Sequence, residues 1–173
     1  GGIVTPATEY TKVEFSQLND YLKDKASGTE VNYIEVTGLT KENVRGTART
    51  ASILGEILKA HPSKKVALKL PSGLSVSDMS YCFASCKNLI SVENIHSGVT
   101  NMAFCFGGCT SLTTAPDIPS GVREIEHCFD GCKALTQGPD IPSTVTNIQK
   151  CFKGCTNLKK VTLNCVYGSG PAF

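Results

Sequence analysis

Cys82-Phe-Ala-Ser-Cys86, Cys105-Phe-Gly-Gly-Cys109, Cys128-Phe-Asp-Gly-Cys132 and Cys151-Phe-Lys-Gly-Cys155 are four copies of one short phrase, set at intervals of 23 residues in a chain of 173. Self-similarity at a fixed period of that size is the signature of a solenoid. Between the copies, equal phases carry equal chemistry: Phe83, Phe106, Phe129 and Phe152; Leu89, Leu112, Leu135 and Leu158; Val99, Val122 and Val145; Met102, Ile125 and Ile148. A coil this short cannot bury its apolar side alone, so each stacks on its neighbours and the repeated side chains become ladders of a continuous core. The Phe column is read as part of that core and not as an aromatic binding stripe, because it is identical in all four coils.

The cysteines follow the same logic. Eight of the nine lie in the repeated pairs Cys82/Cys86, Cys105/Cys109, Cys128/Cys132 and Cys151/Cys155, and Cys165 stands apart, so an odd thiol is left over within a monomer. Residues four apart share a helix face and thiolates bind zinc, but structural zinc sites usually show CxxC pairs in matched sets. Here each pair recurs in phase with the Leu, Val and Ile ladders, as expected of free cysteines packed as small hydrophobes. Stacked coils set equivalent Cα atoms about 4.8 Å apart, close enough for a disulfide, yet the equivalent Cβ vectors run parallel and would strain one. No CxxC occurs and no basic residue recurs beside each thiol to lower its pKa. No metal and no cofactor is expected; thiol-dependent metal or redox chemistry stands as the chemical rival.

With 40% apolar and 18% charged residues the composition is that of an ordinary globular protein. The net charge is +2 and the 17 Lys and Arg residues form no dense run, which argues against nucleic acid and anionic lipid as partners. No apolar stretch approaches the roughly 20 residues that span a bilayer, and residues 1–10 lack the basic and apolar segments of a signal peptide.

Taken in order, residues 1–10 read as a flexible leader. Residues 11–80 form an N-terminal capping region of two longer helix-strand coils. Phe15, Leu18, Tyr21 and Leu22 give a helix opened by Ser16, and Val31 to Val36 a strand. Ile53, Leu54, Ile57 and Leu58 give a second helix opened near Thr50 or Ser52, and Val66, Leu68 and Leu70 a second strand. Thr40 to Gly46 is a polar connection with one helical turn at most. Residues 81–173 hold four 23-residue repeats, the last incomplete, ending in a turn-rich tail without a recognisable cap. Within a repeat the CFxGC phrase reads as one helical or 3₁₀ turn eased by Gly108, Gly131 and Gly154. Pro116 and Pro139 should break or bulge the pairing of the extended segments that follow, since Pro donates no ladder hydrogen bond.

Phases that vary between coils are the places to look for function, because a core demands sameness and a binding surface does not. One column, Tyr81, Phe104, His127 and Lys150, precedes each CF and is a candidate contact stripe, or else a shield over the core edge. A second, Ser91, Thr114, Gln137 and Lys160 with Thr113, Thr136 and Lys159 beside it, would face a partner from the sheet side, or else is a solvated face. His61, His96 and His127 are isolated and Asp117 and Asp140 occupy equivalent turn positions, so no catalytic constellation is read.

CFxGCxxL followed by IPSxVxxI resembles the BspA-like, or treponemal-type, leucine-rich repeats. The match is carried by Cys109, Leu112, Ile118, Pro119, Val122 and Ile125 in one coil and by Cys132, Leu135, Ile141, Pro142, Val145 and Ile148 in the next. The family usually has Ala where Cys82, Cys105, Cys128 and Cys151 stand, and an uninterrupted strand where Pro116 and Pro139 stand. The resemblance implies an α/β leucine-rich-repeat solenoid, a right-handed superhelix. It also implies a non-enzymatic, adhesin-like binding protein, extracellular or on the outer surface of a bacterial cell, with host matrix or cell-surface proteins as partners. Some such proteins are lipoproteins. The rival interaction reading is a spacer, or a self-association module pairing through its C-terminal end.

Overall fold

The computed structural model describes residue 2, residues 8–165 and residues 170–173. Most of the expected leader, and residues 166–169 of the tail, lie outside the described residues. Six strands and two short α-helices follow in order: β1 (Thr11–Glu14), α1 (Leu18–Asp24), β2 (Asn32–Thr37), α2 (Ile53–Lys59), β3 (Val66–Lys69), β4 (Leu89–Glu93), β5 (Gln137–Ile141) and β6 (Lys160–Leu163). β1 to β4 form one parallel sheet in chain order, and β5 and β6 a second. Strands that pair in parallel in the order of the chain are what a coil stacked on a coil produces. The result is a solenoid-like repeat fold.

The helix-strand units and the first short repeat share the four-stranded sheet. β2 shows why: Ile34 and Val36 are fully buried, whereas Tyr33 is 42% exposed on the opposite face, the two-residue alternation of a half-buried strand. Two details depart from the sequence expectations, at β1 and at Ser16, and two follow them, at Ser52 and at the prolines. β1, in the segment Thr-Lys-Val-Glu, is too short and polar to announce itself and gains its place by pairing with β2. α1 is entered through a 3₁₀ turn over Phe15–Gln17 with no side-chain cap, so Ser16 does not open it. Ser52 does cap α2, accepting from the Gly55 N–H. Pro139 lies inside β5 and shifts its register between Gln137 and Asp140, whereas around Pro116 no strand forms.

Two further ladders tie the coils together. Asp78, Asn101, Glu124 and Asn147 bridge successively in parallel, one residue per coil. In the CF turns, alternate N–H groups point along the stack: Tyr81 donates to Ala103, Phe83 to Cys105 and Ser85 to Gly107, and the same trio recurs from Phe104 and again from His127. The intervening N–H groups of Cys82, Ala84 and Cys86 close turns within the coil. This double use bends the backbone into left-handed geometry twice per turn, at Tyr81, Phe104, His127 and Lys150, and at Ser85, Gly108, Gly131 and Gly154. Glycine takes that conformation freely; the non-glycine residues hold it because both neighbouring coils fix the peptides on either side. Beneath the turns, Phe83, Phe106, Phe129 and Phe152 stack with centroids 5.5 to 5.7 Å apart.

At the N-terminal junction α2 takes the place of a preceding CF turn. The Ser52 N–H and Oγ–H both donate to the Cys82 carbonyl, and a Cβ on Gly55 would lie 2.3 Å from that carbonyl oxygen. At the other end the Lys150 and Phe152 N–H groups donate to Pro171 and Ala172, and the Phe173 ring stacks 5.8 Å from Phe152. Pro171–Phe173 thereby adds a rung to the CF ladder, a continuation that the turn-rich composition of the tail concealed.

Candidate functional site

The outward side chains of β1 to β4 form two rows set by strand register. Lys12, Glu35, Lys69 and Glu93 lie side by side across the four strands. Glu35, half-buried, meets the more exposed Lys12 at 3.8 Å and Lys69 at 3.7 Å, long pairs at the surface that contribute little stability. The adjacent row is Tyr33, Ala67 and Ser91. Tyr10 packs edge-on against Tyr33 at 5.7 Å, and Lys69 Nζ stands 5.7 Å from the centre of the Tyr10 ring. Burial, and then the Glu93 carboxylate, raise the Tyr10 hydroxyl above its ordinary pKa, so it stays a neutral donor. Small Ala67 and Ser91 beside two tyrosines make a depression, a hollow of about 910 Å³ that reaches across Ile90–Ile95 to Thr113–Asp117.

A second hollow, about 510 Å³, lies between Thr113–Ile118 and Thr136–Asp140. The two meet at the interruption of the sheet. The Thr113 N–H still donates to Ile90 at 3.1 Å; beyond it, among the described residues, no main-chain N–H or C=O from Thr114 to Ile118 has a hydrogen-bond partner. Buried Pro116, which carries no N–H, sits in the middle of this stretch.

The structure places the second variable column on this face. Ser91, Thr113, Thr114, Thr136 and Gln137 line the hollows, and Lys159 and Lys160 are exposed beside Leu158 and Phe173. The first column is arranged differently. The Tyr81, Phe104 and His127 rings stack face to face at 4.7 and 4.4 Å, and His127 Nδ1 meets Asp130 Oδ2 at 2.7 Å. These three residues and Lys150 are half-buried and none lines either hollow. The ring faces are thus held against one another along the column.

Tyr10, Tyr33, Lys69 and Glu93 were not singled out from the sequence. The signal for Tyr33 was present in its alternation with buried Ile34; Tyr10 precedes a strand that the sequence did not announce. The second cysteine of each pair also does more than pack. Cys86, Cys109, Cys132 and Cys155 Sγ donate to the carbonyls of Gly55, Phe83, Phe106 and Phe129 at 3.4, 3.1, 3.2 and 3.0 Å. Burial pushes the Cys86 thiol up to about 12 and the Cys155 thiol up to about 11, which suppresses the thiolate that metal binding and redox exchange require. All nine cysteines are free, and among the described residues no group of three or more His, Cys, Asp or Glu is placed to hold a metal ion. The histidines have local partners: His61 Nε2 lies 2.8 Å from Asn19 Oδ1, and His96 Nδ1 accepts from the Gly98 N–H. Among the described residues no helix is long and apolar enough to cross a membrane.

Residues 68–168 match the family described as BspA type Leucine rich repeat region, in six copies. No curated protein matches the chain. Among solved structures, a leucine-rich repeat protein of T. pallidum (TpLRR) is similar at 21% identity over 58% of this chain and 71% of that one, with a TM-score of 0.41.

Proposed function

Because the chain belongs to the BspA-type leucine-rich repeat family, we propose that it is a non-enzymatic binding protein of a bacterial cell surface, or secreted from it, that presents its strand face to host matrix or cell-surface proteins. The repeats are a protein-interaction module in kind. The observation that carries the finer reading is that five residues of the variable column, together with Tyr10 and Tyr33, line contiguous hollows on one face. A rigid face with aromatic anchors at one end and hydroxyl and amide groups along it suits protein contact, because Tyr supplies large area at low entropy cost and Thr, Ser and Gln supply hydrogen bonds.

The test is retention of the purified protein on a panel of immobilised extracellular-matrix glycoproteins. Replacing Tyr33, Thr114 and Gln137 together by Glu should abolish retention, while Tyr81→Ala leaves it within about twofold, the mark of a side chain outside the contact. Loss through Tyr81→Ala, with the triple variant still bound, would move the site to the CF turns. Self-association has its own observation: among the described residues β6 pairs only with β5, and Phe173 is 63% exposed beside it. Under that reading sedimentation would show a concentration-dependent dimer that Phe173→Ser dissolves.

A further inference from the structure

We propose that the interruption of the sheet at Thr114–Ile118 is a docking slot for an extended peptide segment of a protein partner, held by main-chain pairing and by a basic side chain set against Asp117 and Asp140. The proposal deepens the strand-face reading and rests on it.

Main-chain polar groups in a fold pair with something, and unpaired strand groups are a template for another chain. The four-stranded sheet ends at β4, the two-stranded sheet begins at β5, and the segment between them keeps one ladder bond, from Thr113 to Ile90. The main chain from Thr114 to Ile118 is therefore open to a partner's backbone. Five residues of extended chain span about 17 Å. A hollow flanks the segment on either side, so a peptide can lie against it without displacing a packed side chain. Pro116 keeps the slot open from within the sequence: it removes the one N–H at the centre of the segment that would otherwise rejoin a neighbouring strand.

Charge selects among extended peptides. Asp117 and Asp140 stand at the same phase of adjacent coils, both exposed, both lining the second hollow. Neither takes part in an ion pair among the described residues, and Glu93, which lines the first hollow, takes part in none either. Carboxylates beside an unpaired backbone favour a segment carrying Lys or Arg and disfavour an acidic one, chiefly through encounter and register.

The probe is a ten-residue synthetic peptide of alternating Thr and Lys, with two controls: the same peptide N-methylated at alternate residues, and one of alternating Thr and Glu. Binding is followed by amide chemical shifts of the full chain. The expected result is saturable shifts confined to Ile90–Asn94, Thr113–Ile118 and Gln137–Asp140. N-methylation should weaken binding about tenfold or more through loss of two or more hydrogen bonds, and the Thr-Glu peptide should bind more weakly still. Exposed Asp117→Asn with Asp140→Asn, checked for an unchanged melting temperature, should lower affinity and flatten its salt dependence. Absence of saturable shifts, or equal binding of the N-methylated peptide, overturns the slot; equal binding of the Thr-Glu peptide overturns its charge preference. If the peptide fails while the strand-face Glu substitutions still abolish matrix retention, the slot is wrong and the binding face stands. If both fail, both readings fall.

Discussion

Gly131 holds φ +79° with only ordinary contact distances around a Cβ built on it, so Gly131→Ala isolates backbone strain from crowding. It should destabilise the protein by about 1–2 kcal/mol, whereas Gly73→Ala, with open space and no left-handed φ, should be neutral or gain a few tenths; equal urea midpoints for the two would refute the turn geometry. That CFxGC is a tight turn was legible from its glycines. That the residue before each CF is also left-handed was not, because Tyr, Phe, His and Lys carry no such propensity and the constraint comes from the coil above. The thiols make a second prediction. Seven cysteines are buried, and burial raises each above the ordinary thiol value of 9.0. The unfolded chain loses those protons first as pH rises past about 9, so the folded state then binds more protons and stability falls with pH. The contribution is whole below pH 9 and disappears as pH climbs toward the folded-state values, about 12 for Cys86. Each buried thiol adds about 1.4 kcal/mol per pH unit to the slope. Urea titrations at pH 9 and pH 10 should show the loss of stability over that interval smaller in Cys105→Ala than in the parent by about 1 kcal/mol, since the unfolded thiol is half ionised at its start; an unchanged difference would mean that the thiol ionises freely in the folded protein.

At the scale of elements, α2 is seven residues long, too short to be stable alone, and its place depends on what the first repeat offers it. Asn88, buried with 3% exposure, sets its side-chain amide within 2.9–3.0 Å of the carbonyls of Leu58, His61 and Lys64. The Leu58 and His61 carbonyls also accept from the His61 and Lys64 N–H groups, so the Asn88 amide adds a second bond to each and reaches the Lys64 carbonyl besides. Asn88→Ala should therefore cost about 2 kcal/mol, more than a typical exposed hydrogen bond, because a buried amide that ties the helix end, the turn and the first repeat together loses its contacts at once. Asn157, whose amide donates to Lys133 from an exposed position, should cost under about 1 kcal/mol when replaced by Ala. Chemical denaturation of the two variants separates them, and equal losses would remove Asn88 from its role as the clasp. Both helices were legible from their 3.6-residue periodicity. The clasp was not, since Asn88 precedes a ladder Leu just as Asn157 does, and only the packing of α2 against it distinguishes the two.

For the molecule as a whole, the period of 23 specifies coils that stack, but it does not say that the stacking is equally tight all round. The CF side was legible because its residues are the same in every coil. The strand side was legible only as a set of varying polar phases, and its shape depends on where Pro116 and Pro139 fall against neighbouring strands. One proline stays within β5 behind a register shift and the other abolishes a strand, although both sit at the same phase. The difference lies in their neighbours: β6 is present to pair with the coil of Pro139, and it brings Val161 to about 2.9 Å from where a Gly138 Cβ would be, so glycine admits a strand there. Ala115 stands at the phase of Gly138, and the residue one period beyond it is Gly138 itself, so no side chain packs there as Val161 does over Gly138. Hydrogen exchange should read this asymmetry directly. Amides bonded along the stack on the CF side, such as Phe106, Gly108 and Phe129, should exchange only through global or subglobal opening, slowed by several orders of magnitude. Amides of Thr114, Ala115, Asp117 and Ile118, in the same coils and without partners, should exchange close to the rate of an unstructured peptide. Slow exchange at these four amides in the parent chain would show a closed sheet, and with it the loss of the slot.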